Sequence, residues 1–471
     1  MSKSLTKALL FALVTLLPAS ALASTGHDDL GRTLPLWSVI PFVVLLLCIA
    51  VLPLTTPHWW DVNRNKGIVA ALCGVAPALY FGVKAPSVLL HTGLEYFSFL
   101  TLLFSLFVIS GGIFVSGDIR ATPKVNTLFL LIGAVLANFV GTTGAAMLLI
   151  RPLLRTNSER KNVRHIPVFF IFVVANVGGC LLPIGDPPLF LGFLRGVPFF
   201  WTLQLVLPWA VAIGAILVIF YVFDSIAYSG EAEKDLTLDR AQVEPIRIHG
   251  KRSIPLLVGV VAAVASLPSI HLPAEHWYSW IPFREIAMLA LTAVSLVVAP
   301  LSAKVPKEEG ETLNPRAANK FSFHAIEEVA LLFAGIFAAM IPALMILQAR
   351  GGELPVREPW QFFFATGALS SFLDNAPTYL TFFALAQGQA YAGADAVVGL
   401  QPLVLEGISL GAVFMGAMTY IGNAPNFMVK SIAEGAGVKC PSFGAYFVWA
   451  CVFLLPVFLA VNALFLGLRP F

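Results

Sequence analysis

Residues 178–188 read Gly-Gly-Cys-Leu-Leu-Pro-Ile-Gly-Asp-Pro-Pro, and residues 421–426 read Ile-Gly-Asn-Ala-Pro-Asn. Each lies within a long apolar stretch, 166–200 and 403–438 respectively. Proline removes a backbone donor and clashes with the preceding turn, and glycine weakens a helix interior, so both motifs predict a broken helix. A break frees backbone N–H and C=O groups, and each one left unsatisfied in hydrocarbon costs several kcal/mol. Such breaks persist only where protein or a water-filled cavity surrounds them. The two motifs therefore predict a polytopic helical membrane protein with an enclosed polar site near the midplane.

The composition fits this reading. The 471 residues include 29 Lys+Arg and 26 Asp+Glu; 12% are charged, 58% are apolar, and mean hydropathy is +0.85. A soluble domain carries roughly 25% charged residues. These figures exclude a soluble globular enzyme and a disordered chain. A net charge of +3, spread along the chain, excludes a nucleic-acid partner. The five cysteines form no Cys-x-x-Cys motif and read as small apolar filler.

Uninterrupted apolar runs occupy 35–55, 66–84, 95–117, 200–224, 253–270, 285–302, 323–348 and 443–467. Each is near the ~20 residues a helix needs to cross the bilayer. Two other apolar stretches are interrupted midway, 125–154 by Gly141-Thr142-Thr143-Gly144 and 358–388 by Asp374-Asn375-Ala376-Pro377. Treating these two as re-entrant hairpins places 20 of the 29 Lys and Arg on the cytoplasmic side and seven outside. Treating either as a full span destroys that bias. The expected fold is all-α and polytopic, with ten transmembrane helices plus two re-entrant hairpins. The amino terminus, with Lys3, Lys7, an apolar run and Ala21-Leu22-Ala23, reads as a signal peptide over 1–23.

The halves match at fixed offsets. At +233, Glu95 aligns with Glu328, Leu136 with Leu369, and the first hairpin tip with the second. At +237, Ile184 to Pro188 aligns with Ile421 to Pro425. The expected order is an amino-terminal segment and first span (24–65), repeat 1 (66–224), a linker and connecting span (225–284), and repeat 2 (285–467). Because the hairpins enter from opposite faces, the repeats are inverted, a design found in secondary transporters with a site at the repeat interface.

Freed carbonyls with carboxylate and amide oxygens suit a hard cation. One expected site combines Asn138, Gly141, Thr142, Thr143, Asn176, Gly185 and Asp186, with Na+ at Thr142, Thr143 and Asp186. The second combines Asp374, Asn375, Thr378, Thr419, Gly422, Asn423 and Asn426, with Na+ at Asp374, Asn375 and Asn423. The competing reading is that Gly and Pro shape kinks while the amides satisfy freed backbone. It is weaker for the acids, since a charge at the bilayer centre costs on the order of 3 kcal/mol or more. Glu328 and Glu95 are secondary candidates for proton coupling.

Through VGTTG (140–144), GGCLLPIGDPP (178–188), FLDNAPT (372–378) and IGNAPN (421–426), the chain resembles the ion transporter superfamily. It looks most like the NhaD-type sodium:proton antiporter and citrate-transporter-like subgroup, over roughly 35–467. The resemblance implies a homodimer, a moving transport domain, and sodium held at hairpin tips and broken helices. Dicarboxylate carriers of that superfamily have Ser-Asn-Thr at both tips, whereas this chain has Gly141-Thr142-Thr143 and Asp374-Asn375-Ala376. The acids disfavour an anionic substrate. The preferred reading is therefore exchange of Na+ (or Li+) for H+ in the inner membrane, with no cofactor. Coupled transport of citrate or another organic anion stands second. An intramembrane aspartyl protease stands third, because its Gly-x-Gly-Asp pattern is broken by Pro183 in Pro183-Ile184-Gly185-Asp186.

Overall fold

The computed structural model describes residues 27–241, 243–270, 277–301 and 314–467. The expected signal peptide lies outside them. The described chain is predominantly helical, with one two-stranded antiparallel sheet. Counting helices of seven residues or more, α1 is His27–Thr33, α2 Ile40–Thr55, α3 Asn63–Lys84, α4 Pro86–Gly111 and α5 Pro123–Thr156. Next come α6 His165–Val173, α7 Pro187–Leu194, α8 Val206–Ser229 and α9 Glu233–Ala241. Then follow α10 Ser253–Ser266, α11 Phe283–Val298, α12 His324–Arg350, α13 Pro359–Phe372 and α14 Asn375–Gln387. The chain closes with α15 Pro402–Met415, α16 Ala424–Gly435 and α17 Phe443–Phe465. Proline stands in the first or second position of seven of these helices (α2, α4, α5, α7, α13, α15 and α16), where its missing N–H would have no intrahelical partner.

Among the described residues, seven helical segments are long and apolar enough to cross a membrane. They include Leu36–Thr55, α3, α4, α5, Phe199–Ser229, His324–Glu353 and α17. The remaining expected crossings fall in shorter helices, α10 and α11 at 14 and 16 residues, and in the broken pairs α6/α7 and α15/α16. One boundary moves. The apolar run expected over 95–117 starts at Pro86 and ends at Gly111, after which the chain becomes strand β1, Phe114–Asp118. Strand β1 pairs with β2, Glu244–His249, so the polar segment 225–252 is folded rather than a bare linker. The pairing slips between Ser116 and Asp118, where Gly117 takes φ +108° and a Cβ would stand 2.5 Å from the Pro245 carbonyl oxygen. Only glycine fits there.

α5 folds back on itself. Its backbone leaves helical geometry at Gly141, with φ +76° and ψ 154°. Asn126 Nδ2 donates to Asn157 Oδ1 at 3.0 Å, although a straight helix would hold residues so spaced about 46 Å apart. α13 and α14 repeat the pattern across Asp374: Phe362 and Phe382 meet with ring centroids 6.5 Å apart.

The helices form two groups. α2, α3, α4, α10, α11 and α12 make the first. Its tightest seam is α3 on α12, where a Cβ on Gly335 would stand 2.7 Å from the Ala70 carbonyl oxygen. Phe99, Phe333 and Phe337 stack beside that seam. The second group holds the two folded-back elements, the broken helices, α8 and α17. Leu72 and Val83 on α3 are 76% and 80% exposed, which suits a lipid-facing surface.

Candidate cation site at the crossing of the broken helices

α6 ends at Val173, a short 3-10 turn follows over Val177–Cys180, and the backbone is extended at Asp186 before α7 begins. Asp186 is thus the N-cap residue of α7, with φ −143° and ψ 144°. Its equivalent at +237, Asn423, is the N-cap residue of α16, with φ −152° and ψ 141°. Both side chains are buried. The breaks are built alike. A Cβ on Gly185 would come within 2.4 Å of the Gly179 carbonyl oxygen, and one on Gly422 within 2.5 Å of the Gly416 oxygen. Those partners are themselves equivalent at +237.

The hairpin limbs grip the breaks by equivalent contacts. Asn138 Nδ2 donates to the Ala134 carbonyl at 3.0 Å and the Gly178 carbonyl at 2.8 Å. At the +233 position, Ser371 Oγ donates to the Gly367 carbonyl at 2.8 Å and the Met415 carbonyl at 3.1 Å. These four carbonyls pair off at the two repeat offsets. Asn138 Oδ1 also accepts from Leu181 N at 2.7 Å. The Thr142 N–H donates to the Gly185 carbonyl at 2.9 Å, tying the first tip to the first break.

One carboxylate collects donors from both halves. Asp186 Oδ1 accepts from Thr142 Oγ1 at 2.8 Å and from Asn423 Nδ2 at 3.2 Å. Asp186 Oδ2 accepts from Asn375 Nδ2 at 2.6 Å. Thr142 and Asn375 are equivalent tip residues at +233, so both tips point at the same acid. Asn375 Oδ1 is buried without a hydrogen-bond partner. No described Lys, Arg or His pairs with Asp186; the ion pairs of the described residues all lie elsewhere. The groups bonded to it are neutral donors, it lies at the N-terminal end of α7, whose backbone dipole favours negative charge, and Asp374 is near enough to repel it.

The other expected residues fall as follows. Asp374 is half-buried and caps α14, its Oδ1 accepting from Ala376 N at 3.0 Å. Thr378 Oγ1 donates to the Asp374 carbonyl at 2.9 Å. Thr143, half-buried beside Thr142, is not bonded to Asp186. Asn176 and Asn426 form a brace between the broken helices. Asn176 Nδ2 donates to Asn426 Oδ1 at 2.7 Å, and Asn426 Nδ2 donates to the Gly416 and Thr419 carbonyls, both at 2.9 Å. Thr419 Oγ1 donates to the Ser371 carbonyl and accepts from Ile421 N. The structure thus brings Thr142, Asp186, Asn375 and Asn423 together, with Asn176 accepting from Asn423 Nδ2 at 3.3 Å and Asp374 near enough to act on Asp186 by charge without bonding to it. Asp186 and Asp374 share no hydrogen bond of the kind a protease dyad needs.

Glu95 and Glu328 lie away from the site, and each has a cationic partner. Arg195 meets Glu95 at 2.8 and 2.9 Å, and Lys66 meets Glu328 at 2.7 Å. Sequence reasoning did not find these partners, because Arg195 and Lys66 are remote in the chain. It also missed a buried cluster near the ends of α5 and α8. There Asp224 accepts from Arg160 at 2.7 Å and from Asn126 at 2.9 Å, with His165 Nε2 at 2.9 Å. An acid at the close of the apolar run 200–224 was the available signal.

Residues 31–466 match the family described as "Putative citrate transport". An uncharacterized transporter of Mycobacterium tuberculosis is 27% identical over 375 residues, covering 75% of this chain and 79% of its own. One from Mycobacterium bovis matches to the same extent. With nearly its whole length inside the family match and its apolar helices in place, the chain belongs to this citrate-transport family, as an integral multi-pass membrane transporter rather than an enzyme.

Proposed function

We propose that this transporter is a secondary active sodium/proton antiporter that works by alternating access. The observation that carries the reading is Asp186, a buried carboxylate held only by neutral donors from both halves of the chain. Without a basic neighbour, a carboxylate at membrane depth is neutralised by a proton or by a bound metal cation, and the two compete for the same oxygens. Thr142, Asn375 and Asn423 are the side chains at hand to complete a cation's oxygen shell, the amides doing so by presenting their carbonyl oxygens. Sodium or lithium, as hard ions, suit that donor set.

The topology of this reading is ten spans and two re-entrant hairpins, as inverted repeats in the inner membrane. The equivalent contacts of Asn138 and Ser371, and of the Gly179/Gly185 and Gly416/Gly422 pairs, support it. The second helix group then acts as the moving carrier against the first as scaffold, in a homodimer. A second reading, coupled transport of citrate or another organic anion, is favoured by the family description. It requires bound cations to offset Asp186 before an anion can approach.

Reconstituted flux separates the two. Proteoliposomes carrying a sodium or lithium gradient, with no organic anion present, are expected to move protons. Strict dependence of that movement on citrate or a related acid would replace the first reading with the second.

A further inference from the structure

Two acids occupy equivalent places in the first helix group, and their ion pairs differ in one respect. Glu95 on α4 and Glu328 on α12 align at +233. Glu328 is neutralised within its own group, by Lys66 of α3 at 2.7 Å. Glu95 is neutralised across the group boundary, by Arg195 at the end of α7, with Nε–Oε1 at 2.8 Å and Nη2–Oε2 at 2.9 Å. The Nη2 contact is a charge-assisted hydrogen bond, and the Nε contact is a close charge pairing beside it.

The surroundings reinforce the crossing. Arg284 of α11 places its guanidinium 5.2 Å from the Phe193 ring centroid and 6.0 Å from that of Phe190, both rings being on α7. Glu285 fixes the base of this contact, bonding Arg284 at 3.0 Å and accepting from Ser98 of α4 at 2.6 Å. So one end of α7 is held by two cation contacts that bridge the groups. α7 packs on α4, whereas its equivalent α16 has no comparable packing on α12 among the described residues.

Glu95 stands nine residues beyond Pro86, about 13 Å along α4 from its outer end. Arg195 closes the outward limb of its broken helix, nine residues beyond Asp186. The end of α7 thus meets α4 below that helix's outer end, whereas the end of α14 lies level with the end of α12, Gln348 Nε2 donating to Gln387 Oε1 at 2.9 Å.

Building on the moving-carrier reading above, we propose that Glu95–Arg195 is a one-sided latch: it holds the carrier in the position seen here and breaks when the carrier moves to the other. Its equivalent, Glu328, is already satisfied by Lys66, so this pairing has no counterpart on the far side. The latch biases the two carrier positions unequally and sets how often the empty or proton-loaded site leaves this one.

The test uses the full-length protein in lipid nanodiscs, with its native cysteines replaced and spin labels at Val83 on α3 and Phe200 beyond α7, both exposed. Pulsed electron–electron distance distributions report the carrier positions. The native pair is expected to give two populations. Glu95→Gln and Arg195→Gln should each shift their ratio away from the population that matches the Val83–Phe200 separation of this structure by about tenfold, the scale of a conformational coupling. The exchange Glu95→Arg with Arg195→Glu should restore it, which a merely folding-related pair or a proton site at Glu95 would not do. Two populations whose ratio ignores both single substitutions would overturn the latch and leave the moving carrier standing. One population in every variant would overturn both.

Discussion

At the residue scale, the two acids of the proposed site are held differently. Asp186 gathers a hydroxyl and two amides, whereas Asp374 spends an oxygen on capping α14. The two substitutions should therefore separate. Asp186→Asn keeps the shape but removes the charge, and is expected to bring sodium-driven proton flux down to the background of protein-free liposomes, since an intramembrane acid is functional by default. Asp374→Asn keeps a competent N-cap, since Asn and Asp rank together there, and should lower flux much less. Equal loss in both, measured in proteoliposomes at matched protein content, would return Asp374 to the site. A different residue governs stability. Asp224 is the acid of a buried cluster, and Asp224→Ala would leave Arg160 enclosed without its closest partner. Removing one member of a buried pair costs about 3–5 kcal/mol, so the variant should melt far below the native protein in detergent. Asp224→Asn, which retains an acceptor, should fall between.

At the element scale, the breaks were legible because their chemistry is local. Gly-x-Pro and Asp-Pro motifs inside apolar stretches announce a broken helix wherever they occur, and Gly141 and Asp374 mark the folds of the two hairpin elements. Partners were not legible. Arg195 reaches Glu95 over 100 positions and Asn375 reaches Asp186 over 189, and no spacing rule encodes such distances. The β1–β2 sheet was missed for a similar reason: β1 begins where an apolar run continues, and its pairing partner lies more than 120 residues on. The glycines inside the breaks carry a sharp expectation. Gly185→Ala would drive a methyl into the Gly179 carbonyl at 2.4 Å and should abolish flux, whereas Gly435→Ala, with nothing within 4 Å, should be silent. Asp118, on β1 outside the membrane, adds a pH effect. Burial, with Glu159, Asp239 and Glu244 nearby, pushes its carboxyl up to about 6 against the partial relief of Arg155. The folded state then holds a proton that the unfolded state has released, so stability falls as pH rises from about 4 to 6 and stays lower above. Asp118→Asn should raise the melting temperature by roughly 1–3 °C at pH 8 and not at pH 4, a difference that thermal melts at the two pH values would resolve.

At the scale of the whole molecule, charge placement and internal symmetry are two independent statements about one topology. The Lys and Arg count orients each loop without reference to any contact. The equivalent grips of Asn138 and Ser371 relate the halves without reference to any charge. Inverted repeats require the two hairpins to enter from opposite faces, which puts the α8–α10 segment and the α14–α15 segment on opposite sides of the membrane. Single cysteines can decide this in a background cleared of Cys48, Cys73, Cys180, Cys440 and Cys451. Leu238 on α9 and Ala394 between α14 and α15 are both exposed and lie outside the apolar helices. In intact cells, a membrane-impermeant maleimide is expected to label Ala394→Cys and to spare Leu238→Cys, which should react only after the membrane is opened. Labelling of both from outside, or of neither, would place the segments on one side. The repeats would then be parallel, and the site at Asp186 would need a different route between the two faces of the membrane.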